Sequence, residues 1–213
     1  INSENGLKDL VNWLLKIDHN QSVIVDAKSV LQLKVFSEGL KIVGKEKRFL
    51  FRSAASFINA LSQLPLNPKS PRTLAAARLK NQYGKFKPGL IIVGSHVQLA
   101  SSQLECLLKE DRCEGVEIDA FKIANLFEKS LLDKLPSELE VTLIAKLNHI
   151  LDLGKTPVLY TSREEVLFSS SELRIAFGLR LAEIMAKLAV SVQSKLGYLI
   201  SKGGITTQVL LEK

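Results

Sequence analysis

Residues 201–207, Ser-Lys-Gly-Gly-Ile-Thr-Thr, are the stretch whose residue types are best suited to chemistry. An apolar run typical of a strand precedes them, and residues 208–213 can begin a helix. Gly203 and Gly204 can adopt positive φ and let a ligand approach the backbone closely. The first amides of a helix attract anions, and Lys202 adds a positive charge. The stretch therefore predicts a phosphate site, with a plain strand-to-helix turn as the alternative.

Two well-known nucleotide motifs are excluded for this stretch. A Walker A loop needs the order Gly-Lys-Ser/Thr, whereas here the lysine precedes the glycines. A dinucleotide-binding fingerprint needs a third glycine at a fixed spacing, and none follows Gly204 at that spacing.

Polar groups also follow the other predicted strands, where open α/β sheets bind their ligands. They are Asp26, Arg52-Ser53, Gly94-Ser95-His96 and Thr161-Ser162-Arg163. Hydroxyls, backbone amides and cations dominate these sets, which suits a phosphate. Ser95 and Ser162 are equally suited to cap helices. Asp26 is either a substrate contact or a turn residue, and Arg52 either binds a carboxylate or pairs on the surface. His96 lacks a matching Ser, Cys or Asp pattern for catalysis.

The elements that must position these residues alternate between helix and strand. In the first half, the patterns predict helices over residues 5–17, 29–43 and 53–64 and buried strands over 23–26 and 48–52. In the second half, they predict strands over residues 90–94, 116–118, 157–161 and 196–200 and helices over 95–109, 120–132, 138–153 and 171–194. Capping patterns begin helices at Ser29, Ser95 and Ser169. The alternation predicts a layered α/β/α fold with largely parallel sheets in two lobes.

Residues 65–88 separate the two halves. They contain four of the six prolines and the basic residues Lys69, Arg72, Arg78, Lys80, Lys85 and Lys87. We predict a solvated linker over residues 67–88, and the alternative is a basic arm that binds nucleic acid.

The composition is that of an ordinary globular protein. The 213 residues are 46% hydrophobic and 24% charged, enough for one large or two small domains. The net charge of +7 favours an anionic partner: a nucleotide, an acidic metabolite or a nucleic acid. Aromatic residues make up only 6%, which argues against a stacking platform for single strands.

Cysteine usage and hydropathy indicate the compartment. Cys106 and Cys113 are the only cysteines, and neither belongs to a CxxC or Cys/His cluster, which argues against zinc and for a reducing compartment. No apolar run approaches membrane-spanning length, and no signal peptide is visible. We therefore expect a cytoplasmic protein with no membrane partner and no metal held by its own side chains.

Four short motifs occur together and in order. They are Phe51-Arg52-Ser53-Ala54-Ala55-Ser56-Phe57, Ile92-Val93-Gly94-Ser95-His96 with Gln103-Leu104 after it, Thr161-Ser162-Arg163-Glu164, and Lys202-Gly203-Gly204-Ile205-Thr206-Thr207. This ordered set resembles the four-carbon acid sugar kinase family, the ATP-dependent kinases of threonate, erythronate and related sugar acids. The resemblance covers nearly the whole chain.

The resemblance implies two α/β domains, the first binding the sugar acid and the second binding ATP. Residues 1–66 would be the C-terminal part of the sugar-acid domain, and residues 89–213 a nucleotide-binding domain cut short at its C-terminus. The ATP contacts of the family map onto Ser95, Gly203, Gly204, Ile205 and Thr206. ATP and Mg²⁺ are the expected cofactors, and Asp26, Arg52 and Ser53 are the candidate sugar-acid contacts.

The catalytic base of the family is expected in an Asp-Asp-x-Thr-Gly motif, which this chain lacks. We therefore assign no catalytic residue, interpret the chain as a fragment, and expect it to lack kinase activity alone. Two other functions remain open: a non-catalytic nucleotide-binding or regulatory module, and a basic nucleic-acid-binding α/β protein. A homodimer is also open.

Overall fold

The computed structural model describes residues 4–63, 69–128 and 136–213. The chain divides into two compact units, Ile1–Lys69 and Ser70–Lys213. Each unit is described by itself.

The described part of the first unit is helical. Its helices are α1 (Glu4–Lys16), α2 (Val30–Val43) and α3 (Ala55–Ser62). Leu14, Val43 and Phe57 are buried where these helices pack together. The Ser29 hydroxyl accepts a hydrogen bond from the Gln32 amide, which confirms the predicted N-terminal cap of α2.

The two strands predicted in this unit are wrong. Residues 23–26 and 48–52 form no strand, and the side chains of Ile24 and Leu50 are 91% and 101% exposed. Their residue types favour strands, but a strand also needs a neighbour that pairs with its backbone groups. No such neighbour exists among residues 4–63.

The second unit alternates helices and parallel strands. In order they are α4 (Pro71–Ala76), β1 (Gly89–Val93), α5 (Gln98–Leu108), β2 (Cys113–Ile118), α6 (Ala120–Glu128), α7 (Ser137–Asp152), β3 (Thr156–Thr161), α8 (Ser171–Val192), β4 (Tyr198–Lys202) and α9 (Gly204–Leu211). A short 3₁₀ turn, Gln193–Lys195, lies between α8 and β4. The last residues of the helix predicted over 120–132 lie outside the described residues.

The four strands form one parallel sheet in the order β2-β3-β1-β4. In the register, Ile91 of β1 lies opposite Val158 of β3 and Ile200 of β4. This sheet confirms the predicted α/β class. The strands are joined by helical crossovers, as parallel pairing requires, because parallel neighbours cannot be joined by a tight hairpin.

Helices cover both faces of this sheet. On one face, Leu90 and Ile92 of β1 belong to the main core together with residues of α6, α7 and α8. On the other face, Ile91 and Val93 pack with Leu104 of α5. Burial on both faces explains why β1 reads as an unbroken apolar run in the sequence.

Two element starts differ from prediction by one or two residues. Helix α8 is capped by Ser170, whose hydroxyl accepts from the Leu173 amide, and not by Ser169. Strand β4 begins at Tyr198, two residues later than predicted, because Gly197 is held in the preceding turn, where its amide donates to the Pro88 carbonyl at 2.6 Å. The strand also ends two residues later than predicted, at Lys202, so the glycine pair follows the sheet directly.

Residues 70–88 belong to the second unit. The Leu79 amide donates to the Gly197 carbonyl at 2.9 Å, and the Arg78 guanidinium lies 4.9 Å from the centre of the Tyr198 ring. Pro65 and Pro68 lie outside the described residues, and the linker boundaries 67–88 stay a prediction.

Candidate functional site

The site residues of the second unit lie where β1 and β4 end side by side. We call residues 94–96 and 202–206 the carboxyl edge. The Gly94 amide donates to the Lys202 carbonyl at 3.0 Å and so continues the strand pairing into the two loops. Helix α5 leaves β1 on one face, whereas α9 packs with α8 on the other. Such a divergence opens the crevice in which α/β sheets bind ligands.

Two glycines allow these loops to touch. A Cβ atom on Gly94 would lie 2.0 Å from Thr206 Oγ1, and one on Gly203 would lie 3.3 Å from the Ser95 amide nitrogen. Gly203 also has φ of +130°, a conformation that side-chain-bearing residues rarely adopt. The structure therefore brings together the predicted residues Ser95, Gly203 and Thr206.

Only one glycine of the pair has a positive φ. Gly204 is the first residue of α9 and lacks a positive φ, and a Cβ placed on it would meet no atom within 4 Å. Gly204 therefore does not use the positive φ that its residue type allows. Its surroundings are instead open, at the point where a ligand would approach the helix.

The first turn of α9 presents amides without protein acceptors. Its N-cap is Gly203, which has no side chain to cap the helix, and the first amide that bonds back is that of Thr207, to the Gly203 carbonyl at 2.9 Å. Within the described part of the chain, no acceptor is found for the amides of Gly204, Ile205 and Thr206. These amides and the helix dipole favour an anion at this end of α9.

Ser95 does not cap α5, contrary to the prediction. The helix begins at Gln98 after Val97, which provides no side-chain cap. The capping pattern fails because the residues between β1 and α5 are extended, with Val97 at φ −65° and ψ 147°. Among the described residues, neither the amide nor the hydroxyl of Ser95 has a hydrogen-bond partner. Both groups are therefore available to hydrogen-bond a ligand.

Lys202 points its charge toward α5. Its Nζ donates to Gln103 Oε1, a neutral acceptor. No ion pair with Lys202 occurs among the described side chains, so the positive charge at the carboxyl edge remains uncompensated. The link explains why Gln103 accompanies the β1 motif at a distance in sequence.

The loop after β3 is bonded to the loop after β1. Arg163 Nη2 donates to the Ser95 carbonyl at 2.7 Å and to Ser101 Oγ at 2.8 Å. His96 Nε2 and Thr161 Oγ1 are 2.9 Å apart. The sequence predicted these residues as separate polar groups after strands and did not predict the bond between Arg163 and Ser95. The only signal in the sequence was that both residues follow predicted strands, and the pairing of β1 with β3 brings them together.

Ser162 serves as a cap, as the alternative interpretation stated. Its hydroxyl accepts a hydrogen bond from the Ala120 amide at 2.9 Å, at the first residue of α6. Ser162 is therefore occupied by the fold and is no longer a candidate for phosphate binding.

Burial lowers the pKa of His96 below its ordinary value of 6.5, and the charge of Arg163 lowers it further, whereas Glu165 acts in the opposite direction. Burial likewise lowers the pKa of the Arg163 guanidinium. The lowered pKa favours the neutral form of His96, so the main cation of the carboxyl edge is Lys202, and Arg163 lies beside that edge on the loop after β3.

The lowered pKa of His96 predicts a pH effect on stability. The unfolded chain binds a proton more readily than the folded one below pH 6.5, so the free energy of unfolding should fall as pH decreases through that value. We expect urea midpoints measured at about pH 7.5 and about pH 5.5 to drop more for wild type than for His96→Gln, which keeps a partner for Thr161. Equal drops in both proteins would contradict this prediction.

The candidate sugar-acid contacts lie in the first unit. Asp26, Arg52 and Ser53 are exposed and belong to no helix or strand. No hydrogen bond or ion pair with another described residue holds any of the three. Their assignment to the substrate stays a prediction.

A family model described as the nucleotide-binding C-terminal domain matches residues 90–213. The chain belongs to this family. The domain is the C-terminal one of the four-carbon acid sugar kinase family, which confirms that part of the predicted resemblance. The match runs from β1 to the end of the chain and includes every residue of the carboxyl edge.

The other comparisons add no relatives. No curated protein and no solved structure matches the chain. Among the described residues, no helix has the length and apolar character needed to cross a bilayer.

Proposed function

We propose that the nucleotide-binding C-terminal domain binds ATP with its phosphates against the carboxyl edge, as part of a kinase of four-carbon sugar acids. The observation that carries the proposal is the meeting of Ser95 with the acceptor-free first turn of α9, held by the close contact of Gly94 with Thr206. The family description independently gives this domain a nucleotide-binding role.

The chemistry of the carboxyl edge fits a polyphosphate. The amides of Gly204, Ile205 and Thr206 provide donors of fixed direction, and Ser95 provides an amide and a hydroxyl. Lys202, whose ammonium donates to Gln103, adds a positive charge at the same edge. Donors fixed before the ligand arrives need no reorganisation when charge develops on the phosphates, which is the main protein contribution to phosphoryl transfer.

Mg²⁺ would be held mainly by the nucleotide itself. No group of three or more His, Cys, Asp or Glu side chains that could hold a metal ion occurs within the described residues. Magnesium commonly keeps several waters and binds substrate phosphates. It would supply charge neutralisation on the phosphates, and the protein residues of the carboxyl edge would orient the phosphate chain.

The reaction we propose transfers the γ-phosphoryl group of ATP to a hydroxyl of the sugar acid. The acceptor hydroxyl loses its proton to a base, the bond from the γ-phosphorus to the bridging oxygen breaks, and ADP leaves. The described residues of the second unit contribute phosphate positioning to this step. Asp26, Arg52 and Ser53 are the residues of the first unit that we propose for the sugar acid.

Calorimetric titration of the full 213-residue chain with ATP, ADP and adenosine tests this proposal. Because the recognised group is the phosphate chain, ATP and ADP should bind, whereas adenosine should bind at least about tenfold more weakly. Equal affinities for ATP and adenosine would contradict phosphate recognition at the carboxyl edge. Lack of any ATP binding would contradict the nucleotide role as a whole.

A further inference from the structure

Arg163 occupies a position that fold stability does not explain. Its Nε and Nη1 groups are buried and have no hydrogen-bond partner in the described part of the chain. Burying a guanidinium with two nitrogens unsatisfied is unfavourable. The side chain nevertheless extends from the end of β3 to the loop after β1, which suggests a role in the site.

The hydrogen bonds of Arg163 go to the protein. Nη2 has two N–H groups, and its two acceptors are the Ser95 carbonyl at 2.7 Å and Ser101 Oγ at 2.8 Å. The other two guanidinium nitrogens are shielded from solvent. The observed contacts of Arg163 therefore act on the loop after β1 and on α5.

The bond to the Ser95 carbonyl fixes a peptide plane. All peptide bonds in the described chain are trans, so the Ser95 carbonyl and the following His96 amide point in opposite directions. With the carbonyl held on Arg163, the His96 amide is directed away from the guanidinium, and no acceptor for it is found among the described residues. Because Arg163 Nη2 also donates to Ser101 of α5, the loop and α5 are held together.

We infer that Arg163 is a positioning residue for phosphate binding, which holds the loop of residues 94–96 so that its amides stay available to the ligand. This inference rests on the proposed function. A loop released from Arg163 can rotate the Ser95 peptide, and ordering it again on binding would weaken affinity.

A double-mutant cycle on ATP affinity tests the inference. The proteins are wild type, Arg163→Lys, Ser101→Ala and the double variant, titrated with ATP by calorimetry. The shorter lysine cannot reach both acceptors, so we expect ATP binding to weaken by about tenfold. Ser101→Ala should weaken binding less, and the double variant should bind no worse than Arg163→Lys, because both changes break one arrangement.

Arg174→Lys is the matched control, since Arg174 is exposed on α8 and its side chain makes no hydrogen bond or ion pair with another described residue. It should bind ATP as wild type does. Wild-type affinity in Arg163→Lys, or independent effects in the double variant, would overturn the positioning role while ATP binding stands. If Arg163→Lys does not fold, the ATP affinity of Ser101→Ala provides the test. An ATP affinity equal to that of wild type in Ser101→Ala would then overturn the inference. No ATP binding by wild type would overturn the proposed function and the inference together.

Discussion

Gly204→Val is expected to weaken ATP binding roughly ten- to a thousandfold while the protein stays folded. Gly204 is the first residue of α9, and a side chain there meets no protein atom within 4 Å. Side chains lean toward the start of their helix, so valine would cover the amides of the first turn. An amide bond to a charged phosphate contributes about 1.5–3 kcal/mol, and each 1.4 kcal/mol corresponds to about tenfold in affinity.

A second glycine in open space provides the control for this variant. Gly178 lies in α8, and a Cβ on it also meets no atom within 4 Å, so Gly178→Val makes the same change outside the carboxyl edge. Calorimetry should show wild-type ATP affinity for Gly178→Val, and thermal melts should show both variants folded. A folded Gly204→Val that binds ATP as tightly as wild type would rule out phosphate binding at the first turn of α9.

Gly94→Ala is expected to lower the free energy of unfolding by about 1–3 kcal/mol, the usual range for a group forced into filled space. The new methyl would lie 2.0 Å from Thr206 Oγ1 and 3.1 Å from Thr206 Cβ, so Thr206 must rotate and we expect the two loops to move apart. The same separation should weaken ATP binding, because Ser95 and α9 would no longer face the ligand together. Urea unfolding measures the stability change.

Removing the Thr206 hydroxyl tests whether this contact is the cause. In a Thr206→Ala background the closest atom to the new methyl would be the residue 206 Cβ, at 3.1 Å. Gly94→Ala should therefore cost less stability in that background than in wild type. An equal cost in both backgrounds would show that the loops do not interlock at this point.

The two central strands of the parallel sheet, β1 and β3, could be predicted because they are buried on both faces. Residues 89–93 and 156–161 are short, largely apolar runs between helical segments, as expected of buried parallel strands. Residues 23–26 and 48–52 are also short runs rich in apolar residues but form no strand. What distinguishes the two cases is a pairing neighbour, which is a property of the tertiary fold and is invisible in a local window.

The candidate site could be predicted in part for a similar reason. The carboxyl ends of parallel strands share one edge, so the strand assignments place Ser95 and Gly203 at the same edge, and the pairing of β1 with β4 brings them together. The sequence could not show which glycine takes a positive φ, because both glycines allow it; in the structure it is Gly203, whose Cβ position would lie 3.3 Å from the Ser95 amide nitrogen. Nor could it show the bond from Arg163 to Ser95, which depends on β3 pairing with β1.

Amide chemical shifts of the ¹⁵N-labelled full chain during an ATP titration test whether the phosphates bind at the carboxyl edge. We expect saturable shifts at Ser95, Gly204, Ile205 and Thr206, with much smaller changes at Arg174 and in the first unit. Adenosine at the same concentrations should leave the amides of α9 nearly unchanged. Saturable shifts confined to residues outside the carboxyl edge, or no saturable shift at all, would contradict the account.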